Sequence, residues 1–318
     1  MYVQADIKFI ESWNLAFSKT FNWNLRNKII VEKNLFHKKF RTIMPWHPFL
    51  FVSDYKKNSK IKSNLHDAYR NISGLICYPL KNIKLEIKSK SENYCFLHYL
   101  EIENKSQEII FNNYKARVRT KIRSGNKKFI FKNIKFLYEF EIYKSKIKDM
   151  LIKQHLRFCS PVPPIDLLRN LLKTGAIQII GVFNGPELKA FCVLSNDSNI
   201  AHLVWFIKSN DFLDNDISIC SYHYCLKIAL KRKCKIFSLG TTSSDSLGRF
   251  KEQLNAERSL ISFQKLKKFK KQSQDIPYFY KRNKLYLTIM KITLRLIKFL
   301  FGERGFVYAS REIWKRFE

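Results

Sequence analysis

The chain has 318 residues, of which 46% are hydrophobic and 15% aromatic, a composition typical of a folded protein and not of a disordered one. Its 59 Lys and Arg residues outnumber its 26 Asp and Glu residues and give a net charge of +33. This charge favours nucleic acid, anionic lipid or phosphorylated compounds as partners. Part of the charge also reflects a composition rich in Lys, Ile, Asn and Phe, as expected of an A+T-rich genome.

The seven cysteines indicate a reduced protein. Their number is odd and no Cys-x-x-Cys pair occurs, which disfavours a disulfide scaffold or a zinc site. The N-terminal stretch MYVQADIKFIESWNLAF lacks the pattern of a secretory signal. No uncharged apolar run approaches the roughly 18 to 20 residues of a membrane-spanning helix. We therefore expect a cytoplasmic protein.

Alternating apolar and polar residues predict several strands in the first half of the chain. A strand is expected near Pro48 to Val52, and others in KLEIKSK (84–90), YCFLHYLEI (94–102) and KKFIFKNIKF (127–136). The stretch 106–128 predicts one helix with a stop at Gly125. A further helix is predicted over 140–157.

The second half has a more regular pattern. PPIDLLRNLLKTG (163–175) predicts a helix, because prolines precede it and a glycine ends it. Three strands follow in 176–207, the first two joined by an Asn-Gly turn typical of a hairpin. A helix over 215–235, a strand ending at Gly240, a loop, a helix and a last strand complete a mixed α/β layer architecture. No GxGxxG or Walker lysine loop is present in the sequence.

This order of elements resembles the GNAT-type acyltransferases, and more narrowly their FemAB-like branch of peptidyltransferases and surface-polysaccharide enzymes. The resemblance covers about residues 112–263 and lies in YKARVRTKIRSGNKKFIF, HLRFCSPVPPIDLLRNLL, IIGVFNGPELKAFCVL, the segment WFIKSNDF to FSLGTTSS, and LGRFKEQLNAE. It implies a largely antiparallel mixed sheet flanked by helices, built as two GNAT-like halves. We expect an N-terminal half in 1–125, a catalytic half in 126–270 and a basic amphipathic helix in 271–318.

The resemblance also implies the reaction, the transfer of an acyl or aminoacyl group to an amine, plausible for cell-envelope or surface-polysaccharide synthesis. The donor would be acyl-CoA or aminoacyl-tRNA, and no metal is needed. The acceptor would be an anionic small molecule or a nucleotide- or lipid-linked sugar. Two features depart from the family: FSLG (237–240) lacks the acidic residue of the usual D-F-G strand, and the Gln/Arg-x-x-Gly-x-Gly/Ala loop for CoA pyrophosphate is absent.

Four candidate site residues lie in the loop that begins at Gly240 or on the helix that follows it. Gly240, Thr241 and Ser243 lie between a strand and a helix, where glycine allows close backbone approach and free N–H groups attract anions. The alternative is a loop that caps the next helix. On that helix Arg249 is a candidate for bidentate phosphate binding.

The pair Phe250 and Lys251 is the strongest catalytic candidate. The resemblance implies that this lysine faces the acceptor and stabilises oxyanion or phosphate charge. Phe250 is a candidate substrate-binding residue. Acyl transfer to an amine needs an oxyanion stabiliser and a proton acceptor but no protein nucleophile. The alternative is that Lys251 is one of many lysines on a solvated helix.

Three other residues are candidates for the acceptor side. His155 is a candidate general base and Arg157 a candidate substrate-binding residue, both just before the paired prolines. Trp205, on a predicted central strand, is a candidate for substrate binding or for core packing. The aspartates at 211, 214 and 216 match no metal-binding loop.

Two basic stretches add candidate partners. The run Arg117, Arg119, Lys121 and Arg123 would bind a nucleic-acid backbone or a pyrophosphate, or form a solvated face. Transfer RNA (tRNA) is a candidate partner of the protein. In 284–301 an apolar helix is expected with one basic stripe, formed by Lys284, Lys291, Arg295 and Lys298. It would lie on an anionic membrane, or pack against the catalytic domain or a second subunit with the stripe exposed. Peripheral contact with the inner face of a membrane is therefore a further expectation.

Two other classes of function stay open. A nucleic-acid-binding protein without chemistry would explain the charge and the aromatic residues, although the sequence has no helix-turn-helix, zinc-finger or RNP-like signature. A GNAT-fold subunit without catalytic activity would explain the missing acidic residue in FSLG.

Overall fold

The computed structural model describes residues 6–26, 28, 30–35, 38–42, 44, 72–73, 94–158, 163–209, 212, 214, 216–242, 245–262 and positions 292, 293, 296 and 300. Its helices are α1 (Ile7–Phe21), α2 (Gln107–Asn113), α3 (Ala116–Lys128), α4 (Leu137–Phe158), α5 (Ile165–Lys173), α6 (Asp216–Lys231) and α7 (Asp245–Glu252). Its strands are β1 (Asn24–Arg26), β2 (Ile30–Leu35), β3 (Lys38–Thr42), β4 (Ile72–Ser73), β5 (Tyr94–Glu101), β6 (Ile130–Ile134), β7 (Ile177–Asn184), β8 (Glu187–Ser195), β9 (Ile200–Lys208), β10 (Ile236–Thr242) and β11 (Glu257–Ser262).

A seven-stranded sheet in the order β11-β5-β10-β9-β8-β7-β6 forms the centre of the molecule. Its strands pair antiparallel except β9 and β10, which pair in parallel. The β7–β8 turn follows the predicted Asn-Gly pattern, with Gly185 at φ 59°. The mixed, largely antiparallel sheet flanked by helices is therefore confirmed. A smaller sheet, β1-β2-β3-β4, is formed by the N-terminal region.

Helices cover both faces of the large sheet, so its central strands are buried on both sides. Along β7, Ile179 packs in a core with α1, α4 and α5, whereas its neighbour Ile180 packs in a second core with α2, α3 and α6. This arrangement follows from the alternation of side chains along a strand. It explains why 176–207 is an almost continuous apolar run.

The predicted boundary at residue 125 lies between elements that share one sheet. β5 precedes this boundary and lies between β10 and β11, which follow it. The division into halves at 125/126 stays a prediction.

The predicted helix over 106–128 is two helices, and this part of the prediction is wrong. Tyr114 separates α2 from α3 with extended backbone angles (φ −68°, ψ 148°), and its side chain is buried. Gly125 does not end a helix, because α3 continues to Lys128. Gly125 instead lies against Cys220 of α6, where an added Cβ would come within 2.1 Å of the sulfur.

The other predicted elements of the second half are present. The strand predictions near residue 50 and over 84–90, and most of the predicted helix over 284–301, lie outside the described residues. Positions 292, 293, 296 and 300 within that segment are helical. In the described part of the chain, no helix has the length and apolar character to cross a membrane.

The cysteines whose side chains the structure describes are buried free thiols, as their apolar context predicts: Cys192, Cys220, Cys225 and Cys234. Burial, together with nearby aspartates, raises the pKa of Cys220 to about 12. A thiol with such a pKa is unreactive at neutral pH.

Candidate functional site

Strands β9 and β10 pair over only part of their length, and the candidate site begins where the pairing ends. Parallel pairing joins Ile236–Ser238 to Ile200–His202, but β9 continues to Lys208. Beyond Ser238, β10 shifts its register against β5 on its other side. Gly240 lies within this irregularity at φ 75°, a conformation that favours glycine.

A cleft of about 250 Å³ borders the half of β9 that does not pair with β10. We call it the aromatic cleft, and it is lined by Gln154 of α4, Phe206 and Lys208 of β9, Ser218 and Tyr222 of α6, and Leu247 and Phe250 of α7. The rings of Phe206 and Phe250 each meet the Tyr222 ring edge to face, at 5.6 and 5.3 Å between centroids. The cleft thus combines apolar walls with a few polar groups, a composition typical of ligand sites.

Lys251 follows the cleft residue Phe250 along α7, and its side chain is buried although this short helix lies at the surface. Only 3% of Lys251 is exposed, and its Nζ donates a hydrogen bond to the backbone oxygen of Gly240 at 3.0 Å. Burial of an ammonium group is costly unless polar groups compensate for lost water. The cation is therefore held at the point where β9 and β10 part.

His98 of β5 interacts electrostatically with Lys251. Its side chain is fully buried, and among the described residues neither ring nitrogen makes a hydrogen bond. Its Nε2 lies 3.7 Å from Oε1 of Glu252. Burial, and then the positive charge of Lys251, lower the pKa of His98 to about 4, so that the imidazole is neutral at physiological pH.

His98 was not predicted from the sequence. It lies in a stretch correctly predicted to be a strand, but 153 residues before Lys251, and only the pairing of β5 with β10 and β11 brings the two together. No local pattern marks it. The other cleft residues that the sequence did not predict come from four elements: Gln154 from α4, Phe206 and Lys208 from β9, Ser218 and Tyr222 from α6, and Leu247 from α7.

The structure places the predicted site residues in different environments. Phe250 lines the aromatic cleft, and Gly240 accepts the hydrogen bond of Lys251. Arg249, one residue before Phe250, is exposed to solvent. Trp205 stacks on Trp13 in the core beside α1, with 6.2 Å between ring centroids.

The remaining predicted site residues are only partly described. His155 and Arg157 lie in the last part of α4, directly after the cleft residue Gln154, but their side chains lie outside the described residues. Thr241 belongs to β10, and its side chain lies outside them too, as does all of Ser243. The roles of these residues stay predictions.

The basic run of α3 has mainly intramolecular contacts. Arg119 donates to the backbone oxygens of Asn112 and Tyr114, and so closes the end of α2. Lys121 forms an ion pair with Asp216 at 2.6 Å, and Arg123 lies over the ring of Phe111. Arg117 is exposed. These contacts join α2, α3 and α6 and favour a structural role for most of the run.

The start of α6 carries carboxylates. The Asp216 N–H donates to Oδ1 of Asp214, and Oδ2 of Asp214 lies 3.4 Å from Nζ of Lys128. With the Lys121–Asp216 pair, two lysines of α3 are engaged by two aspartates. Within the described ranges, no group of three or more His, Cys, Asp and Glu side chains is placed to hold a metal ion.

Comparisons with known proteins bear on this arrangement. No protein-family model matches the chain, and no curated protein matches it either. Among solved structures, FemX is 11% identical, with a TM-score of 0.59 over 80% of this chain and 94% of FemX. L-PGS from Bacillus licheniformis is 12% identical, with a TM-score of 0.45 over 83% of this chain and 84% of that one.

A tandem GNAT protein from the clavulanic acid biosynthesis pathway is 7% identical, with a TM-score of 0.39 over 74% of this chain and 78% of that one. At these identities the similarity concerns the fold alone, and the conclusion about the fold rests on the match with FemX. The fold predicted from the sequence is confirmed, since this chain has the fold of FemX.

Proposed function

We propose that this protein is an acyltransferase that moves an acyl or aminoacyl group to an amine acceptor in the synthesis of a cell-envelope or surface polymer. One observation carries the proposal: the buried ammonium of Lys251 lies where β9 and β10 part, on the same helix as Phe250, which lines the aromatic cleft. The FemX-like fold supports this class of reaction.

The chemistry assigns a role to Lys251. The acceptor nitrogen attacks the carbonyl carbon of the donor, a C–N bond forms, and the carbonyl oxygen becomes negative. Collapse of this intermediate breaks the bond between carbonyl carbon and the oxygen or sulfur of the donor. Lys251 would stabilise the oxyanion, an electrostatic effect that is often the largest in such reactions.

The proton of the attacking amine needs an acceptor. We assign this role to His155, because it follows the cleft residue Gln154 on α4. Arg157 and the exposed Arg249 would bind phosphate groups of a nucleotide- or lipid-linked sugar acceptor. Gly240, Thr241 and Ser243 would shape the pocket, and Trp205 would support the wall of β9 from its core side.

The two candidate donors differ in how they fit the start of α6. A helix N-terminus after a strand is a favourable place for pyrophosphate. Here Asp214 and Asp216 lie at that place, and Lys121 and Lys128 are paired with them. These carboxylates would repel the pyrophosphate of acyl-CoA, and the nearby lysines are already paired. We therefore propose aminoacyl-tRNA as the donor.

The donor proposal is tested by incubating the protein with amino-sugar and peptide acceptors and either acetyl-CoA or a set of aminoacyl-tRNAs, and by detecting products by mass spectrometry. We expect mass increments of an aminoacyl group. Transfer from acetyl-CoA alone would contradict the choice of donor and leave the acyltransferase class intact.

The role of Lys251 is tested with Lys251→Met, which keeps much of the buried side chain but removes the charge. We expect turnover to fall by about 100-fold or more, as for loss of an oxyanion-stabilising donor. Lys127→Met, at an exposed position of α3, is the matched control. Circular dichroism and thermal unfolding show whether each variant is folded.

Wild-type turnover by a folded Lys251→Met variant would contradict the assigned role. Absence of transfer by the wild-type protein with every donor would instead favour a subunit without catalytic activity. Phe250→Ala provides an independent measurement, because loss of a cleft wall should raise KM more than it lowers kcat.

A further inference from the structure

Three large apolar side chains at the start of α4 are exposed to solvent. Phe136 is 57% exposed, Tyr138 66% and Ile142 69%. The rings of Phe136 and Tyr138 stack with 5.6 Å between centroids and 9° between planes, and Ile142 follows Tyr138 by one helical turn. We call these three residues the exposed apolar patch. Such adjacent exposed side chains commonly mark an interaction surface.

The charges around this patch are predominantly positive. Glu139 accepts hydrogen bonds from the backbone N–H groups of Lys135 and Phe136, which places its carboxylate on the helix start. Glu141 is paired with Arg169 and Lys144. The neighbouring acids are thus engaged within the protein.

Lysines flank the patch on both sides. Lys135 precedes it, and Lys146 lies one helical turn after Ile142; both are exposed. Stacked aromatic rings between exposed lysines match an anionic lipid surface, with rings at the level of the headgroups and lysines near phosphate. A second copy of this chain is a poorer match, because each copy has a net charge of +33.

We propose that the exposed apolar patch and its flanking lysines form a docking surface for an anionic membrane. This surface is distinct from segment 284–301 and does not depend on the proposed catalytic activity. Ile142 and the cleft residue Gln154 lie on the same helix, so about twelve residues at about 1.5 Å each separate them by about 18 Å. Docking would therefore hold the aromatic cleft close to the membrane, within reach of a lipid-linked substrate.

The test is sedimentation of the full chain with vesicles of phosphatidylcholine containing about one third phosphatidylglycerol, compared with phosphatidylcholine alone. We expect binding to the anionic vesicles only. The variant Phe136→Ser/Tyr138→Ser/Ile142→Ser should bind at least about tenfold more weakly, because it removes the inserted apolar surface. Ile7→Ser/Ile109→Ser is the matched control, since both residues are about half exposed on other helices.

A second variant keeps the proposal testable if the triple variant folds poorly. Lys135→Gln/Lys146→Gln should weaken binding and reduce its dependence on salt, whereas Lys115→Gln/Lys127→Gln on α3 and its N-terminal cap should do so less. Leu296→Ser/Leu300→Ser measures the contribution of segment 284–301 separately.

Two results would overturn the proposal. The first is wild-type binding to anionic vesicles by folded variants of the patch and of its lysines. The second is a wild-type dimer in analytical ultracentrifugation that the triple variant converts to a monomer, with vesicle binding unchanged, which would make the patch a protein–protein interface.

Discussion

Gly125 shows how one atom can matter at a helix–helix contact. A Cβ at this position would come within 2.1 Å of Sγ and 3.3 Å of Cβ of Cys220. We expect Gly125→Ala to destabilise the protein by about 1 to 3 kcal/mol, because overpacking outweighs the gain in helix propensity. Urea unfolding followed by circular dichroism measures this change.

Two controls identify the cause. Ser124→Ala, at the preceding position of α3, should have little effect. Adding Cys220→Ala to Gly125→Ala should recover part of the lost stability, since the sulfur is the nearest atom. If the double variant is no more stable than Gly125→Ala, the contact with Cys220 is not the cause.

Gly240 combines a special backbone conformation with the hydrogen bond of Lys251. Its φ of 75° is unfavourable for residues with a Cβ, and its carbonyl accepts from Nζ of Lys251. Gly240→Ala should cost about 1 kcal/mol of stability. It should also lower kcat by moving the carbonyl that positions the ammonium.

Gly185→Ala is the control for Gly240→Ala. Gly185 also has a positive φ, 59°, but lies in the β7–β8 turn. Its replacement should cost similar stability and leave transfer activity unchanged. Equal effects of the two variants on kcat would contradict a specific role for Gly240.

Helices α2, α3 and α6 pack together through a buried aromatic group. The ring of His223 on α6 contacts the rings of both Phe111 and Tyr114, and its Nδ1 is 3.4 Å from the Tyr114 hydroxyl. Burial, followed by the charge of Lys227, lowers the pKa of His223 to about 4. These helices therefore enclose a neutral histidine, as β5 does with His98.

The two histidines predict how stability depends on pH. In the unfolded chain each would bind a proton near pH 6.5, whereas in the folded chain each does so only near pH 4. Between these values the unfolded chain binds more protons, so stability is present above about pH 6.5 and falls as the pH falls towards 4. We expect a loss on the order of 1 to 3 kcal/mol per histidine, measured by urea unfolding at several pH values.

The variant His223→Phe/Tyr114→Phe removes one of these groups and its hydrogen-bonding partner together. Its stability should depend less steeply on pH in this range. A slope identical to that of the wild-type protein would exclude a contribution from His223.

The net charge of +33 belongs to the molecule as a whole. It predicts binding to polyanions such as heparin or non-specific RNA that weakens steeply with salt. If this binding is separate from catalysis, Lys251→Met should leave it unchanged while transfer activity is lost. Affinity and salt dependence are measured by fluorescence anisotropy, and a large loss of polyanion binding in Lys251→Met would indicate instead that this lysine belongs to a nucleic-acid site.

Much of the fold could be predicted from local patterns. The hairpin turn at Asn184-Gly185, the apolar strands of 176–207 and the helix ended by Gly175 were predicted correctly because neighbouring residues specify them. The break at Tyr114 was missed, because the ring that separates α2 from α3 is held by contacts with α6, more than a hundred residues later. The site itself stays a prediction: Phe250 lines the cleft, whereas the side chains of His155 and Arg157 lie outside the described residues.

The amino-acid sequence alone determined the order of the elements in 163–262, the apolar character of the central strands and the positive charge. It also predicted Phe250 and Lys251 as site residues, through a family resemblance. Only the tertiary structure decided which side chains meet. Strand pairing across the sheet decides three features of the site: β9 and β10 part, Lys251 is buried against Gly240, and His98 lies beside Lys251. Pairing brings residues far apart in the chain within a few ångströms of each other, and no local pattern encodes that proximity.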